Sequence, residues 1–272
     1  MAPKILDFGC AVITGGSGGL GYAMAEYFIK TGKQVIIIGR TEAKLKDASE
    51  KLGNGTKFYT LDTGDTKATE TVSKTIISEH PEVDCLILNA GVQTPLDVNS
   101  LDLAKVDAEI NSNIRGPVHM ATHFLDHLKS KPMGVIMNVS SVLGFSPYSI
   151  INPVYNGTKA FVHFWSLAQR TQLKHTNIRV VEIVPPSVGT DLHRDRVNPD
   201  DNKKHKGASK SLTVEEFMAD FQRDLEQDKD LVTAGSGYEL TQRWADTLGK
   251  EHKASDEAYK PEAAEPYRAK KK

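Results

Sequence analysis

Cysteine is scarce in this chain. There are two, Cys10 and Cys85, both inside apolar, strand-like runs. That is too few for a disulfide scaffold, and both read as reduced thiols of a core. Long apolar runs are missing too. The longest, such as residues 35–38, fall far short of the roughly 18 residues that suggest a membrane span. Neither sign of charge prevails: 34 Lys and Arg stand against 35 Asp and Glu, so no global attraction draws the chain to nucleic acid. The opening residues show no charged leader followed by an apolar stretch and a cleavage site. A cytoplasmic setting is therefore expected. A disordered or collagen-like chain is excluded by composition, with 39% apolar and 25% charged residues among 272.

What the chain does have is alternation. Apolar, β-branched runs at residues 11–13, 34–38, 57–61, 83–88, 135–139 and 179–184 are separated by helix-compatible stretches. The longest of these are residues 101–128, interrupted near Gly116 and Pro117, and residues 154–175. Near-continuously apolar strands separated by helices imply an α/β fold with a parallel sheet covered on both faces and right-handed crossovers. After Pro185 the pattern breaks. Residues 190–210 are rich in charge and Asn, with almost nothing to bury, and loops this long are usually functional. A helix near 214–227, a weak strand at 231–232 and a short helix near 240–248 follow. The expected organisation is one domain over residues 1–249, with residues 190–228 as a substrate loop and mobile lid. Residues 250–272 are expected to form a polar, flexible tail.

Residues 14–21, Thr-Gly-Gly-Ser-Gly-Gly-Leu-Gly, follow the first strand and open a helix. Glycines let a backbone turn tightly and approach a diphosphate, whose charge a helix N-terminus stabilises. The spacing differs from the usual G-x-G-x-x-G, and a tight turn without ligand is the plain alternative. Tyr155 and Lys159 stand at i, i+4 at the head of a long helix, on one face. An ammonium beside a phenol favours the phenolate, so a lowered Tyr155 pKa and proton transfer near neutral pH are expected. Ser141 lies just beyond a strand's C-terminal end, where open α/β sheets place ligands.

Together with Asp62, Asn89-Ala90-Gly91, Asn113 and residues 185–190, these motifs resemble the short-chain dehydrogenase/reductase superfamily over about residues 8–190. Pro185-Pro186 followed by Val188 and Thr190 resembles its DltE-like oxidoreductase subgroup. The resemblance implies a single-domain, Rossmann-type doubly wound parallel sheet. It implies that Gly15, Ser17, Gly19, Leu20 and Gly21 line a diphosphate, and that Asp62 and Thr63 meet the adenine. Asp62 has the alternative of capping the next helix. Asn89, Ala90 and Gly91 would pass the adenine ribose, and Val188 and Thr190 would fix the carboxamide. The implied catalytic set is Asn113, Ser141, Tyr155 and Lys159: Tyr155 as proton donor, Ser141 orienting a carbonyl, Lys159 on the nicotinamide ribose, and Asn113 linking Lys159 to solvent. Pro186 departs from the family's usual Pro-Gly and removes one N–H from that loop.

The second strand ends Gly39-Arg40 where NAD enzymes of this type tend to carry an acid. Arg40 offers a cationic fork for a 2′-phosphate, so NADP(H) is expected over NAD(H). His119, His123 and His127 at i, i+4, i+8 have metal-ligand spacing, but no Cys or carboxylate cluster supports a metal. They read instead as an interface or partly buried stripe. In the family, the helices over 101–128 and 154–175 pack against a second subunit, which implies a homodimer or homotetramer. No nucleic-acid or membrane partner is expected. The implied function is hydride transfer between nicotinamide and a ketone, aldehyde or alcohol. Alternatives are a biosynthetic enzyme or epimerase of the same fold acting on a complex metabolite, or a low-turnover NADP-binding regulator. The complete Ser141, Tyr155, Lys159 set argues against the regulator.

Overall fold

Every residue of β1 (Cys10–Thr14), β4 (Cys85–Leu88) and β5 (Gly134–Val139) is buried, as near-continuous apolar runs require when both sheet faces are covered. The structure is a computed structural model, and it describes residues 4–204 and 211–267. With β2 (Gln34–Gly39), β3 (Lys57–Thr60), β6 (Ile178–Val184) and β7 (Leu231–Thr233), these strands form one parallel sheet in the order β3-β2-β1-β4-β5-β6-β7. The order reverses between β1 and β4. In open α/β sheets that is where a crevice forms beyond the strands' C-terminal ends.

Helices α1 (Gly19–Lys30), α2 (Glu42–Leu52), α3 (Thr66–Glu79), α4 (Leu103–Ile110), α5 (Gly116–Lys129), α6 (Pro153–Leu173), α7 (Val214–Glu226), α8 (Gly237–Asp246) and α9 (Leu248–Ala258) complete the chain. Strand residues alternate between two cores. Ala11, Ile13, Val35, Ile37 and Ile87 pack with Phe28 of α1 and with Phe217 and Phe221 of α7. Val12, Ile36, Ile38, Leu86 and Leu88 pack with Ile76 of α3 and Phe124 of α5. Each large side chain buried in this way contributes about 1.5–3 kcal/mol.

The structure adds detail at three places. The long helix over 101–128 is two helices joined by a π-helical turn, Asn111–Arg115. The cause lies at its end. A Cβ on Gly116 would stand 2.6 Å from Thr63 O, so backbone meets backbone there. Pro117 then lacks the N–H that a regular register would use. The stretch from residue 250, expected as a flexible tail, is helical to Ala258 and continues as a 3-10 turn, Pro261–Tyr267. Lys174, just past α6, pairs with Asp256 at 3.5 Å and lies over the Tyr259 ring at 5.8 Å. Finally, the loop over 190–210 holds a short 3-10 turn at Asp191–His193, and Asn202 is buried. Residues 205–210 of the expected lid region, like residues 268–272, lie outside the described residues.

In the histidine stripe, His127 Nε2 lies 2.8 Å from Val83 O. Among the described residues no group of three His, Cys, Asp or Glu side chains could hold a metal ion. No described helix is long and apolar enough to cross a membrane.

Candidate active site

One cleft of about 730 Å³ runs along the C-terminal ends of the strands and receives the Gly-rich turn, Arg40, Asp62, Asn89, Ser141, Tyr155, Lys159 and Thr190. Its centre is stitched by Thr14, the last residue of β1. Thr14 Oγ1 accepts from the N–H groups of Asn89 at 3.0 Å and Ala90 at 2.9 Å, while Asn89 Nδ2 donates to Thr14 O at 2.9 Å. Two glycines of the turn are required by geometry. Gly15 has φ +69°, and a Cβ on Gly21 would stand 2.3 Å from Gly15 O. The first turn of α1 has no side-chain cap, and a Cβ at its N-cap Gly18 would meet nothing within 4 Å. Uncapped N–H groups facing open space at a helix N-terminus suit an anion such as a diphosphate.

At the adenine end, Asp62 Oδ1 accepts from Gly64 N at 2.9 Å. Asp65, not Asp62, caps the following helix, accepting from Lys67 N and Ala68 N. The capping alternative for Asp62 therefore falls, and its carboxylate lies on the cleft beside Thr63. Arg40 is joined there by Lys44, one turn into α2. The sequence reading passed over Lys44. Its signal was position, on the first helical turn after a strand end that already carried a cation.

Ser141, Tyr155, Lys159 and Asn113 are all buried. Lys159 Nζ lies 5.5 Å from the Tyr155 ring centroid and donates to Val139 O at 2.8 Å. Asn113, inside the π turn, accepts from Val92 N at 2.9 Å and donates to Val92 O at 2.9 Å and to Thr158 Oγ1 at 3.1 Å. It thereby ties the loop after β4 to α6. The expected lowering of the Tyr155 pKa is corrected. Burial pushes the phenol above its ordinary value, against the pull of a hydrogen bond with Ser141. Burial also brings Lys159 down to about 8, with Glu109 opposing. Enclosure favours the neutral form of both groups, so the ammonium is too weakly held to draw the phenol down.

Glu109 of α4 was not anticipated. It is fully buried, and burial pushes it up to about 7, with hydrogen bonding from Thr94 and the charge of Lys159 pulling the other way. A second unanticipated group lies behind Ser141. Ser140 Oγ donates to Glu182 Oε1 at 2.5 Å, and His163 Nδ1 lies 3.0 Å from Glu182 Oε2. His163 stands one turn after Lys159 on α6, its ring 4.0 Å from that of Phe145 and 4.6 Å from that of Trp244. A closed circuit results: Lys159 to Val139, Ser140 to Glu182, Glu182 to His163, and back along α6 to Lys159. At the far end, Asn202 Nδ2 donates to Val188 O and Thr190 O, both at 2.9 Å, and holds that loop on the cleft.

The profile of the short chain dehydrogenase family matches residues 9–201. The chain is 35% identical over 226 residues to a Bacillus subtilis (strain 168) protein named uncharacterized oxidoreductase DltE, covering 82% of this chain and 86% of that one. It is 32% identical over 197 residues to the NADP-dependent 3-hydroxy acid dehydrogenase YdfG of Escherichia coli (strain K12), covering 72% and 79%. Among solved structures, the closed form of serine dehydrogenase complexed with NADP⁺ is similar with a TM-score of 0.73 and 28% identity, covering 82% of this chain and 93% of that one.

Proposed function

We propose, from the premise that the chain belongs to the short-chain dehydrogenase/reductase family, that this oxidoreductase interconverts a carbonyl and an alcohol on a small molecule and prefers NADP(H) to NAD(H). The observation that carries the reading is the convergence of Tyr155, Ser141 and Lys159 on the cleft that the Gly-rich turn opens. When bound, NADP(H) supplies or accepts the hydride. The backbone of Gly15, Ser17, Gly19, Leu20 and Gly21 would hold its diphosphate. Asp62 and Thr63 would meet the adenine, and Asn89, Ala90 and Gly91 its ribose. Arg40 and Lys44 would receive the 2′-phosphate, Lys159 the nicotinamide ribose, and Val188 and Thr190 the carboxamide. Two of the relatives named above are dehydrogenases of alcohols, a 3-hydroxy acid and serine, and in both cases NADP is part of the name or the complex.

The protein's own part is to move one proton in an enclosed site. In reduction the Tyr155 hydroxyl donates to the substrate oxygen. Its raised pKa keeps it protonated at neutral pH, ready to give that proton to a developing alkoxide. Ser141, which lines the same cleft as Tyr155, orients the same oxygen. Lys159 and Asn113 lie behind Tyr155 and would return the proton from solvent. Assembly into a homodimer or homotetramer is proposed through α4, α5 and α6, where Leu103 and Phe164 are left exposed.

The test follows NADPH and NADH oxidation against aldehydes, diketones, quinones, sugars and steroids, together with Tyr155→Phe. The variant should lose about 10²-fold or more in turnover while its NADPH titration is unchanged. Turnover near the wild-type level would remove Tyr155 from the chemistry.

A further inference from the structure

Arg196 faces the cleft but has no part in hydride or proton transfer. It follows the turn at Asp191–His193, and its backbone N–H donates to His193 O at 2.9 Å. Its side chain, 14% exposed, reaches Gln93, which lies two residues past Gly91 and is 3% exposed. Nη2 donates to Gln93 Oε1 at 2.8 Å, and Nη1 donates to Asp201 Oδ2 at 2.7 Å. The other Asp201 oxygen is taken by His193 Nδ1. Nε is buried and has no hydrogen-bond partner.

A guanidinium presents its donors as planar forks that match the two oxygens of a carboxylate. Asp201 engages Nη1 alone. The side fork, Nε with Nη2, carries one neutral amide oxygen and one unpaired donor. A buried N–H left without a partner is costly, and in native structures it calls for an explanation. A loop brace does not supply one, because Asp201 already anchors the arginine without that fork. The cation lines the same cleft as Tyr155, and its charge draws that phenol down against burial. An uncharged ketone would leave the fork unused.

We infer that the substrate is a hydroxy or oxo acid whose carboxylate docks on Nε and Nη2 of Arg196, displacing the Gln93 amide oxygen. The inference rests on the oxidoreductase reading for the other end of the same substrate.

The experiment titrates lactate, 3-hydroxybutyrate and 4-hydroxybutyrate, each beside its methyl ester, calorimetrically into the enzyme saturated with NADP⁺. At least one acid should bind about 10- to 100-fold more tightly than its ester, the range expected for a charge-assisted hydrogen bond. Arg196→Gln should bring that ratio close to one. Gln93→Glu, which sets a carboxylate beside Nη2, should lower the ratio by a similar factor and keeps the test open if the arginine variant fails to fold. If every ester binds as well as its acid, or if the preference persists in either variant, the carboxylate site is overturned. Turnover is read in parallel. Acids that bind through Arg196 with no hydride transfer, alongside inactivity on neutral carbonyls, would overturn the oxidoreductase reading and leave the carboxylate site standing.

Discussion

At the nucleotide end of the cleft the protein works with backbone; at the substrate end it works with paired side chains. Gly15 and Gly21 shape the turn because one needs positive φ and the other lies against a carbonyl. Asp62 closes its own turn on Gly64, two residues on. Across the switch point, Ser140 meets Glu182 at a separation of 42 residues and Arg196 meets Gln93 at 103. A backbone-built site resists change because a Cβ has nowhere to go. A site built from pairs fails when either member is lost, because the survivor is left buried and unpaired.

That contrast breaks most visibly at Glu182. Glu182→Ala would leave His163 Nδ1 buried without its partner and Ser140 Oγ with only its 3.3 Å contact to Ile183 O, and the loss of a buried pair of this kind costs about 3–5 kcal/mol. Urea unfolding should show it, and Glu182→Gln, which keeps an acceptor in place, should recover a large part. NADPH affinity of the folded variant should change far less than its stability. If nucleotide binding falls in step, the two ends are not separate.

Glu109 sharpens the comparison by pH. Its pKa is raised in the folded protein from 4.5 to about 7, so the folded state holds the proton more tightly than the unfolded chain. Stability at this group is fully present below about 4.5 and is lost as pH rises through 7, in total on the order of 3 kcal/mol. Glu109→Gln should flatten that slope in denaturant titrations run between acidic and neutral pH. It also removes a negative charge that holds Lys159 up, so the basic limb near 8 should move to lower pH in the activity profile. An unchanged slope would mean that Glu109 is ionised throughout.

The smallest effect belongs to the nucleotide end. Arg40→Ala should weaken NADPH by about tenfold, the lower part of the range for one charge-assisted bond, and barely affect NADH. Because Arg40 is exposed, high salt should narrow the difference. Equal affinities for the two nucleotides in the wild type would mean that Arg40 faces solvent.

The same contrast explains what could be read from the sequence. Apolar strands that alternate with helices, and a Gly-rich turn after the first of them, are contiguous signals, so the sheet and the nucleotide turn were legible. Tyr155 and Lys159 were legible because helical spacing places them together. Arg196, Gln93, Glu109 and the pairing of Ser140, Glu182 and His163 were not, since each depends on elements brought together only by the fold. The Tyr155 pKa was misjudged for a related reason. Proximity of Lys159 can be read from spacing, whereas the depth of burial that overrides it cannot. Helix α9 escaped notice because it is polar on all sides and offers no apolar period.

The strand order also bears on how the chain emerges from the ribosome. Strands β1, β2 and β3 can zip together as soon as Thr60 has emerged, since β2 pairs with β1 and β3 with β2. The inner edge of β1 then stays open until β4, which begins at Cys85, arrives to cover it. From there every strand adds to the one made just before it, β5 on β4, β6 on β5 and β7 on β6. The sheet can therefore grow in the direction of translation, with the nucleotide half complete before the substrate half exists. The bare edge of β1 is the surface that a nascent-chain chaperone would have reason to shield during that interval.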